Sequence, residues 1–554
     1  MKPSKESGKV NGGERIFHFR PALFFAVFLM LGILFAYLRG VENVSAWWIL
    51  AVVCPVGLVA ALCGDFYTAC KRVAWIGLAF LVGSVAFGWQ VSSFESATAY
   101  DGEYAVQGRV WEMERGETLS KIVLTDLAVN GENEDGKMTV YLERTVADAL
   151  CYADEVRFCA YVQTTANVKG GYGFRAEKIA DGVRFTANAV SDFTVTGNRF
   201  SVGALLRQKI SETVRAGMDE TPAAVTLAVL LGDTSGIDEG LLENVRKGGI
   251  AHVFAVSGLH IGSLFAFCLL LLKKSPLPKA ARFLIVAAVL FLYGSVCGFS
   301  ASVIRAVVTC LILYACRLLG WKTDGLESLA VACIAVLLLF PSLLFGVGFQ
   351  LSFLSCLGIA LLGKRIASAL LFAVDGVGAW IEKKCLKKEA ENRTYDPLSA
   401  DVPPPSLEKQ MKTAIVETVS VGLSAQLATM PVLLNSFGYV SFIGTFLNML
   451  FVPLVSACFG ALLVCVLAAC LFSPLGGAIL FAPNVVVSAL ILPFQTTELA
   501  GALVGCSVSA ETLIAYFTLL FVLSDKINLT KGQRLLLALL LGVCVLLAFI
   551  INLL

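Results

Sequence analysis

Apolar stretches of about 20 residues recur along this chain between short polar loops, the spacing expected where a helix rising 1.5 Å per residue crosses a hydrocarbon core about 30 Å thick. Three stand at the start, near 21–38, 46–64 and 73–91; hydropathy then drops over 95–200 and climbs again from about 250 onward. The trough has a different period. Short alternating runs, "YAVQGRVW" (104–111), "KIVLTDLAV" (121–129), "MTVYLER" (138–144), "DEVRFCAYV" (154–162) and "VRFTANAV" (183–190), read as five strands separated by Gly, Asn and Asp clusters. Five strands in about 90 residues suit a small barrel of the OB type. The pattern predicts a polytopic α-helical membrane protein with about 11 to 13 transmembrane helices and an inserted small extracytoplasmic β-barrel domain, OB-like. The helix number is a range because 441–472 and 474–505 are long and interrupted by Pro453, Pro483 and Pro493, so that either accommodates a re-entrant piece.

The same pattern divides the chain. Residues 1–94 hold the N-terminal transmembrane helices, 95–200 the β domain, 201–250 an amphipathic helical connector, 251–524 a second transmembrane domain and 525–554 a C-terminal transmembrane helix. Within the second domain, 382–412 is charged, proline-containing and without apolar period, which predicts a flexible cytoplasmic loop. The stretch before it, 366–381, is a candidate amphipathic helix at the inner interface. Orientation follows from Lys and Arg beside short loops. Lys2, Lys5, Lys9, Arg15 and Arg20 precede the first span, Lys71 and Arg72 separate the second from the third, and Lys273, Lys274, Lys279 and Arg282 follow a span at 251–272. A cytoplasmic N-terminus puts all of these inside and 95–200 outside a multi-pass protein of the plasma membrane. The first stretch exceeds a signal-peptide h-region of about 7–15 residues and has no clear small-residue cleavage site after it, so it is expected to be retained.

Composition narrows the chemistry. With 57% apolar and 15% charged residues, a soluble enzyme and a disordered scaffold are both excluded. The net charge of +2 gives no global signal for a nucleic-acid partner. Residues 95–200 carry 11 basic and 17 acidic residues, which argues against a strong DNA clamp in the β domain. Three histidines, His18, His252 and His260, leave no multi-histidine metal centre, and with no C-x-x-C pair neither a metal site nor a cofactor is expected. Most of the 17 cysteines fall in apolar spans as packing residues. Cys151 and Cys159, both in the exported domain, form a candidate disulfide, with two separate strand cysteines as the alternative.

Polar residues inside apolar spans are costly and mark candidate function. The richest cluster is "PAAVTLAVLLGDTSGIDEGLLENVRKGGIAHVFAVSGLHIG" (222–262), where Asp233 ends an apolar run and His252, Ser257, Gly258 and His260 introduce the next span. Ser257 and Gly258 are expected to interrupt that helix near its start, a feature tolerated in a bilayer where protein or water satisfies the freed backbone. Three readings fit the histidines: packing between helices, lining of a pathway, or a Ser257–His260 nucleophile pair, for which no oxyanion loop is visible. Arg305 lies early in a span at 301–316, where it must snorkel, pair or line an aqueous path. Gln350 and Ser352 in "GVGFQLSFLSCLG" (346–358) pose the choice between interhelical bonding and pathway lining, and "SAQLATMPVLLNSFGYVSFIGTFLNMLFVPLV" (424–455) sets two expected proline breaks, Pro431 and Pro453, near polar side chains such as Asn448.

In this order these motifs resemble the ComEC-type competence proteins, whose pattern is an LLGD, a helix, and then H-x-x-A-[IV]-S-G-L-H-[VI]-G. "IRAVVTC" and "FPSLLFGVGFQLSFLS" fall where that family has its Arg and its G-F-Q-L-S-F element, and the likeness extends over roughly 220–500. The resemblance implies that 251–524 is a competence-type channel domain, not an enzyme, that admits single-stranded DNA to the cytoplasm during natural transformation. It carries over Asp233, His252, Ser257, Gly258, His260, Arg305, Gln350, Ser352, Pro431, Asn448 and Pro453 as candidate pathway residues. The implied partners are single-stranded DNA, the lipid bilayer, a separate DNA receptor, a separate nuclease and a cytoplasmic motor ATPase, with a homo-oligomer also compatible. The family's metallo-β-lactamase-like domain needs an H-x-H-x-D-H cluster, which this sequence lacks, so a channel without its own nuclease is expected. A transporter or flippase for a smaller anionic solute and a membrane-embedded serine hydrolase are the alternatives.

Overall fold

The computed structural model describes residues 20–40, 66–95, 99–114, 118–148, 150, 153–165, 174–198, 202–254, 256, 258–299, 301–320, 325–385, 407–438, 440–496, 503–504, 510–524, 532–533 and 536–542. The span expected at 46–64 lies outside the described residues, as does most of the one at 535–553; Cys151 and Ser257 lie outside them too, and with them the Cys151–Cys159 pairing. Seven described helices are long and apolar enough to cross a membrane, and four shorter apolar helices accompany them. This is a multi-pass membrane protein. The chain divides into two compact units, one of Pro21–Phe353 with Ser441–Leu503 and one built chiefly from Leu354–Val440 with Val504–Leu554.

The larger unit opens with α1 (Pro21–Gly40) and α2 (Phe66–Glu95). Gly32 of α1 abuts the backbone of Phe80, and Gly83 of α2 abuts that of Leu29, so closely that a Cβ at either would overlap a carbonyl oxygen. Close approach of small residues is the usual contact where lipid removes the hydrophobic drive between helices. Ser84 Oγ donates to the Gly32 carbonyl at 3.0 Å across the same seam. We expect Gly32→Leu to force the pair apart and cost at least about 1–3 kcal/mol by overpacking, measured as a lowered midpoint in denaturing-detergent titration of the purified chain.

The barrel follows: β1 (Asp101–Glu114), β2 (Leu119–Val129), β3 (Glu132–Glu134), β4 (Lys137–Glu143), the short α3 (Arg144–Asp148), β5 (Asp154–Thr164), α4 (Phe174–Asp181) and β6 (Val183–Asn198). The sheet runs β1-β5-β6-β4-β2, and β1 pairs β2 to close it. Every pairing is antiparallel except β4 with β6. With β3 set aside as a short extension of β2, this is a five-stranded OB-like barrel. Strict alternation along β5 turns Val156, Phe158, Ala160 and Val162 inward against Ile122, Leu124, Val140 and Phe185. The extension β3 arises from Asn130 and Gly131, both at positive φ (51° and 85°), which close a two-residue hairpin between Val129 and Glu132.

Three helices occupy the connector: α5 (Val202–Gly217), α6 (Glu220–Leu231) and α7 (Glu239–Lys247). The first and last bury one stripe each, whereas α6 is buried at every position from Pro222 to Leu231. A 3-10 turn (Ala251–Val253) precedes α8 (Gly258–Leu272), and the interruption expected at Ser257 and Gly258 lies partly outside the described residues. Then come α9 (Lys279–Val296), α10 (Ala301–Leu318), α11 (Gly325–Leu339), a 3-10 turn (Pro341–Phe345) and the 39-residue α12 (Val347–Cys385), whose later part belongs to the second unit. The larger unit is completed by α14 (Phe442–Leu471) and α15 (Gly476–Thr496).

In the second unit α12 continues beside α13 (Leu407–Phe437) and α16 (Ala510–Leu523). Gly358 lets α12 approach the Ser424 carbonyl of α13. Arg365 Nη1 donates to the carbonyls of Leu523 and Ser524 at 2.6 and 3.2 Å, placing a cation on the negative end of α16.

Two sequence expectations need correction. Residues 382–385 and 407–412, assigned to the flexible loop, extend α12 and α13, because polar residues continue a helix where it leaves the membrane as readily as apolar ones. Pro431, Pro453, Pro483 and Pro493 do not break their helices. A proline removes one backbone donor, a loss that neighbouring helices make tolerable within a membrane bundle.

Candidate functional site

The motif-bearing part of the larger unit is built from helix ends. α6 is short and buried on all sides from Pro222 to its last residue, Leu231, so its C-terminal end needs partners inside the protein, while its exposed start is fastened from α15. At its start Asn484 of α15 makes a reciprocal pair with Asp219: Oδ1 accepts from the Asp219 N–H at 3.1 Å and Nδ2 donates to Asp219 Oδ2 at 2.7 Å. Its last turn closes on Gly232, whose φ of 74° is the left-handed conformation that glycine adopts without strain. Two carbonyls at that end receive donors from other helices. Tyr293 Oη donates to Leu230 O at 2.7 Å, and Arg207 Nη1 donates to Leu231 O at 3.2 Å and to Val296 O, the end of α9, at 3.1 Å. A buried guanidinium thus holds the negative ends of two helices together.

Asp233 follows directly. Its Oδ1 accepts from the Ser235 N–H at 3.2 Å and from Ser235 Oγ at 2.6 Å, forming the turn that leads to α7. At the far end of α7, Gly249 has φ 68° and lies against Gly444 of α14, where a Cβ would stand 2.9 Å from the Gly444 Cα. Ser441 Oγ donates to Lys247 O at 2.8 Å and accepts from the Gly444 N–H at 3.0 Å, while Asn448 Nδ2 donates to Gly249 O at 3.4 Å. Asn448 is therefore brought onto the Gly-Gly turn of the long motif. Gly249→Val, which needs both a positive φ and space that Gly444 fills, is expected to unseat α7 and to raise protease sensitivity within 238–257 on limited digestion.

A second group of ends meets around Arg305. The position of a Cβ on Gly258 would touch Ala306 at 3.9 Å, and that of one on Gly348 would lie 3.7 Å from Arg305 Nη1. Arg305 is 4% exposed, and its Nη2 donates to Ser302 Oγ at 3.2 Å. The start of α12 therefore meets the arginine of α10 while the start of α8 meets the next residue, Ala306, so that α10 joins three motifs that are distant in sequence. Gly232 in turn would set a Cβ 3.2 Å from Val256, so the Asp233 turn adjoins the segment leading into α8.

The remaining candidates separate. His260 is fully buried with its ring 5.0 Å from Phe459, whereas His252 is exposed on the 3-10 turn. Gln350 Nε2 donates to Leu344 O at 3.0 Å and fastens α12 to the turn before it. Ser352 is half-buried on α12, Pro431 belongs to the second unit, and position 453 lies within α14. Among the described residues no group of three or more His, Cys, Asp or Glu is placed to hold a metal ion.

Several positioning residues were not foreseen from sequence. Gln90 of α2 makes a reciprocal pair with Ser342, donating to its Oγ at 2.8 Å and accepting from its N–H at 3.0 Å. Asn484, Asn244, Tyr293 and Arg207 are the others. For Arg207 a signal existed: it lies on the buried stripe Gly203, Arg207, Ile210, Val214, with helical spacing, and a charge on an apolar stripe calls for a partner.

Comparison with known proteins matches residues 229–528, more than half of the chain, to the family described as "Competence protein". The chain belongs to the competence protein family. The match begins within α6 and takes in the Arg305 group and the C-terminal end of α6, but not Arg207 or Asp219. A relative, ComE operon protein 3 of Bacillus subtilis (strain 168), is 26% identical over 253 residues, which are 46% of this chain and 27% of that protein. The chain thus matches about a quarter of the relative's length. No solved structure matches.

Proposed function

We propose that this protein is a membrane channel that passes single-stranded DNA into the cytoplasm during natural transformation. The observation that carries the reading is the buried guanidinium of Arg305 against the start of α12 at Gly348, within the family-matched region and on a helix whose next residue, Ala306, faces the start of α8: a buried guanidinium at a helix start is suited to a phosphate-bearing polymer. Helix starts themselves favour anions. In this reading Asp233 and Asn448 hold the frame, His260 packs, and Arg305 meets the phosphates. The N-terminus is cytoplasmic, the barrel faces outside, and the energy comes from a separate cytoplasmic motor. A separate receptor delivers DNA and a separate nuclease supplies the single strand.

The test is a deletion of the gene in its host under conditions that induce competence. Transformation and nuclease-protected uptake of labelled DNA should both be lost and be restored by the wild-type chain. Undiminished uptake in the deletion strain would refute the proposal.

A further inference from the structure

Residues 232–257 carry charges that the proposed pathway does not use, and their depth can be read from their neighbours. At one level Gly236 adjoins Ala224 of α6, Gly232 adjoins Val256, and His260 rests on Phe459 of α14. At another level Gly249 adjoins Gly444, Ser441 Oγ donates to Lys247 O at 2.8 Å, and Asn244 Nδ2 donates to Phe494 O of α15 at 3.0 Å. Phe459 and Gly444 are about 22 Å apart along α14 at 1.5 Å per residue. The chain therefore runs down α7 to the Ser441 end, turns back at the 3-10 turn, and descends again as α8.

Both flanking helices, α14 and α15, are candidate membrane spans. Yet α7 exposes Glu239, Glu243 and Arg246 while burying Leu241 and Val245. Charges facing hydrocarbon are costly, and irregular backbone at membrane depth persists only against protein or water. Glu243 and Lys247 pair at 2.7 Å on the same face, which holds the charged side chains in a row along the helix. We infer that the exposed face of α7, with Glu239, Glu243 and Arg246, forms the charged wall of a water-filled cleft inside the membrane. This extends the channel reading by giving the passage a wall beyond the candidate pathway residues. Two acids against Arg246 and Lys247 leave the wall near neutral, so it wets a passing polyanion without gripping it.

No cysteine occurs between Cys159 and Cys268, so thiol labelling of this segment can be read by peptide mass spectrometry in an otherwise native chain. Glu243→Cys and Arg246→Cys, in membrane vesicles of both orientations, should react with a small charged methanethiosulfonate at least about tenfold faster than Leu284→Cys on the exposed apolar face of α9, since thiolates form only in water. Leu241→Cys on the buried face should stay unlabelled. A polymer-linked maleimide should label Ser275→Cys in the loop after α8 and spare both α7 positions. Labelling of α7 no faster than Leu284→Cys would overturn the cleft, and labelling by the polymer reagent would place α7 on the open surface instead. The readout contains no DNA, so the cleft and the DNA-channel reading can fail separately. A variant that does not accumulate is replaced by Glu239→Cys on the same face, for which the same results are expected.

Discussion

Arg305→Ala should reduce DNA uptake at least about a hundredfold while leaving the chain in the membrane at normal abundance. Losing interactions worth about 2.8 kcal/mol in passage is enough for that, at 1.4 kcal/mol per factor of ten. The folded state should tolerate the change, because removing a buried charge also removes its desolvation cost. The residue is 4% exposed, bonded to Ser302, and adjacent to the start of α12, so the alanine leaves a small gap beside that helix start. Arg305→Lys should retain part of the activity: it keeps the charge but loses the planar fork that meets phosphate through two parallel bonds. Transformation frequency with immunoblotted protein levels checks both. A silent Arg305→Ala would remove the residue from the pathway.

Arg207→Met is the change expected to harm folding most. It keeps the volume and strips the donors from Leu231 O and Val296 O, leaving two helix ends with buried carbonyls. At about 1–3 kcal/mol for each unsatisfied group, the loss should be about 2–5 kcal/mol, a large share of the stability of a typical domain. Tyr293→Phe removes only the bond to Leu230 O and should cost about 1–2 kcal/mol. Unfolding midpoints of the purified chains in denaturing detergent order the three proteins, with Arg207→Met the lowest. Equal midpoints for Arg207→Met and the wild type would mean that other donors replace the guanidinium.

The barrel was legible because its strands obey one rule, alternation, over runs longer than five residues. β5 is predicted at 154–162 and observed at Asp154–Thr164, and Asn130 with Gly131 falls at the turn between β2 and β3. The short α3 and α4 were not legible, since five to eight residues give too little periodicity to separate a helix from a loop. In the membrane part, hydropathy marks where helices run but not which carbonyls they leave open. The roles of Asn484 and Tyr293 were therefore invisible: each is defined by a backbone group 63 or more residues away in sequence. The prolines misled for a related reason, because sequence shows the missing donor and not the neighbours that make its loss tolerable. The long motif was legible as a unit, and its glycines are the part that the structure explains best. Gly232 and Gly249 both sit at positive φ, at the two places where the chain reverses around α7.

Reconstitution of the purified chain shows whether it passes single-stranded DNA by itself. Proteoliposomes carrying the wild-type chain, given labelled single-stranded DNA and then external nuclease, should retain protected label well above empty liposomes, and those carrying Arg305→Ala should not. Protected label equal to that of empty liposomes, or equal for wild type and Arg305→Ala, would contradict the account.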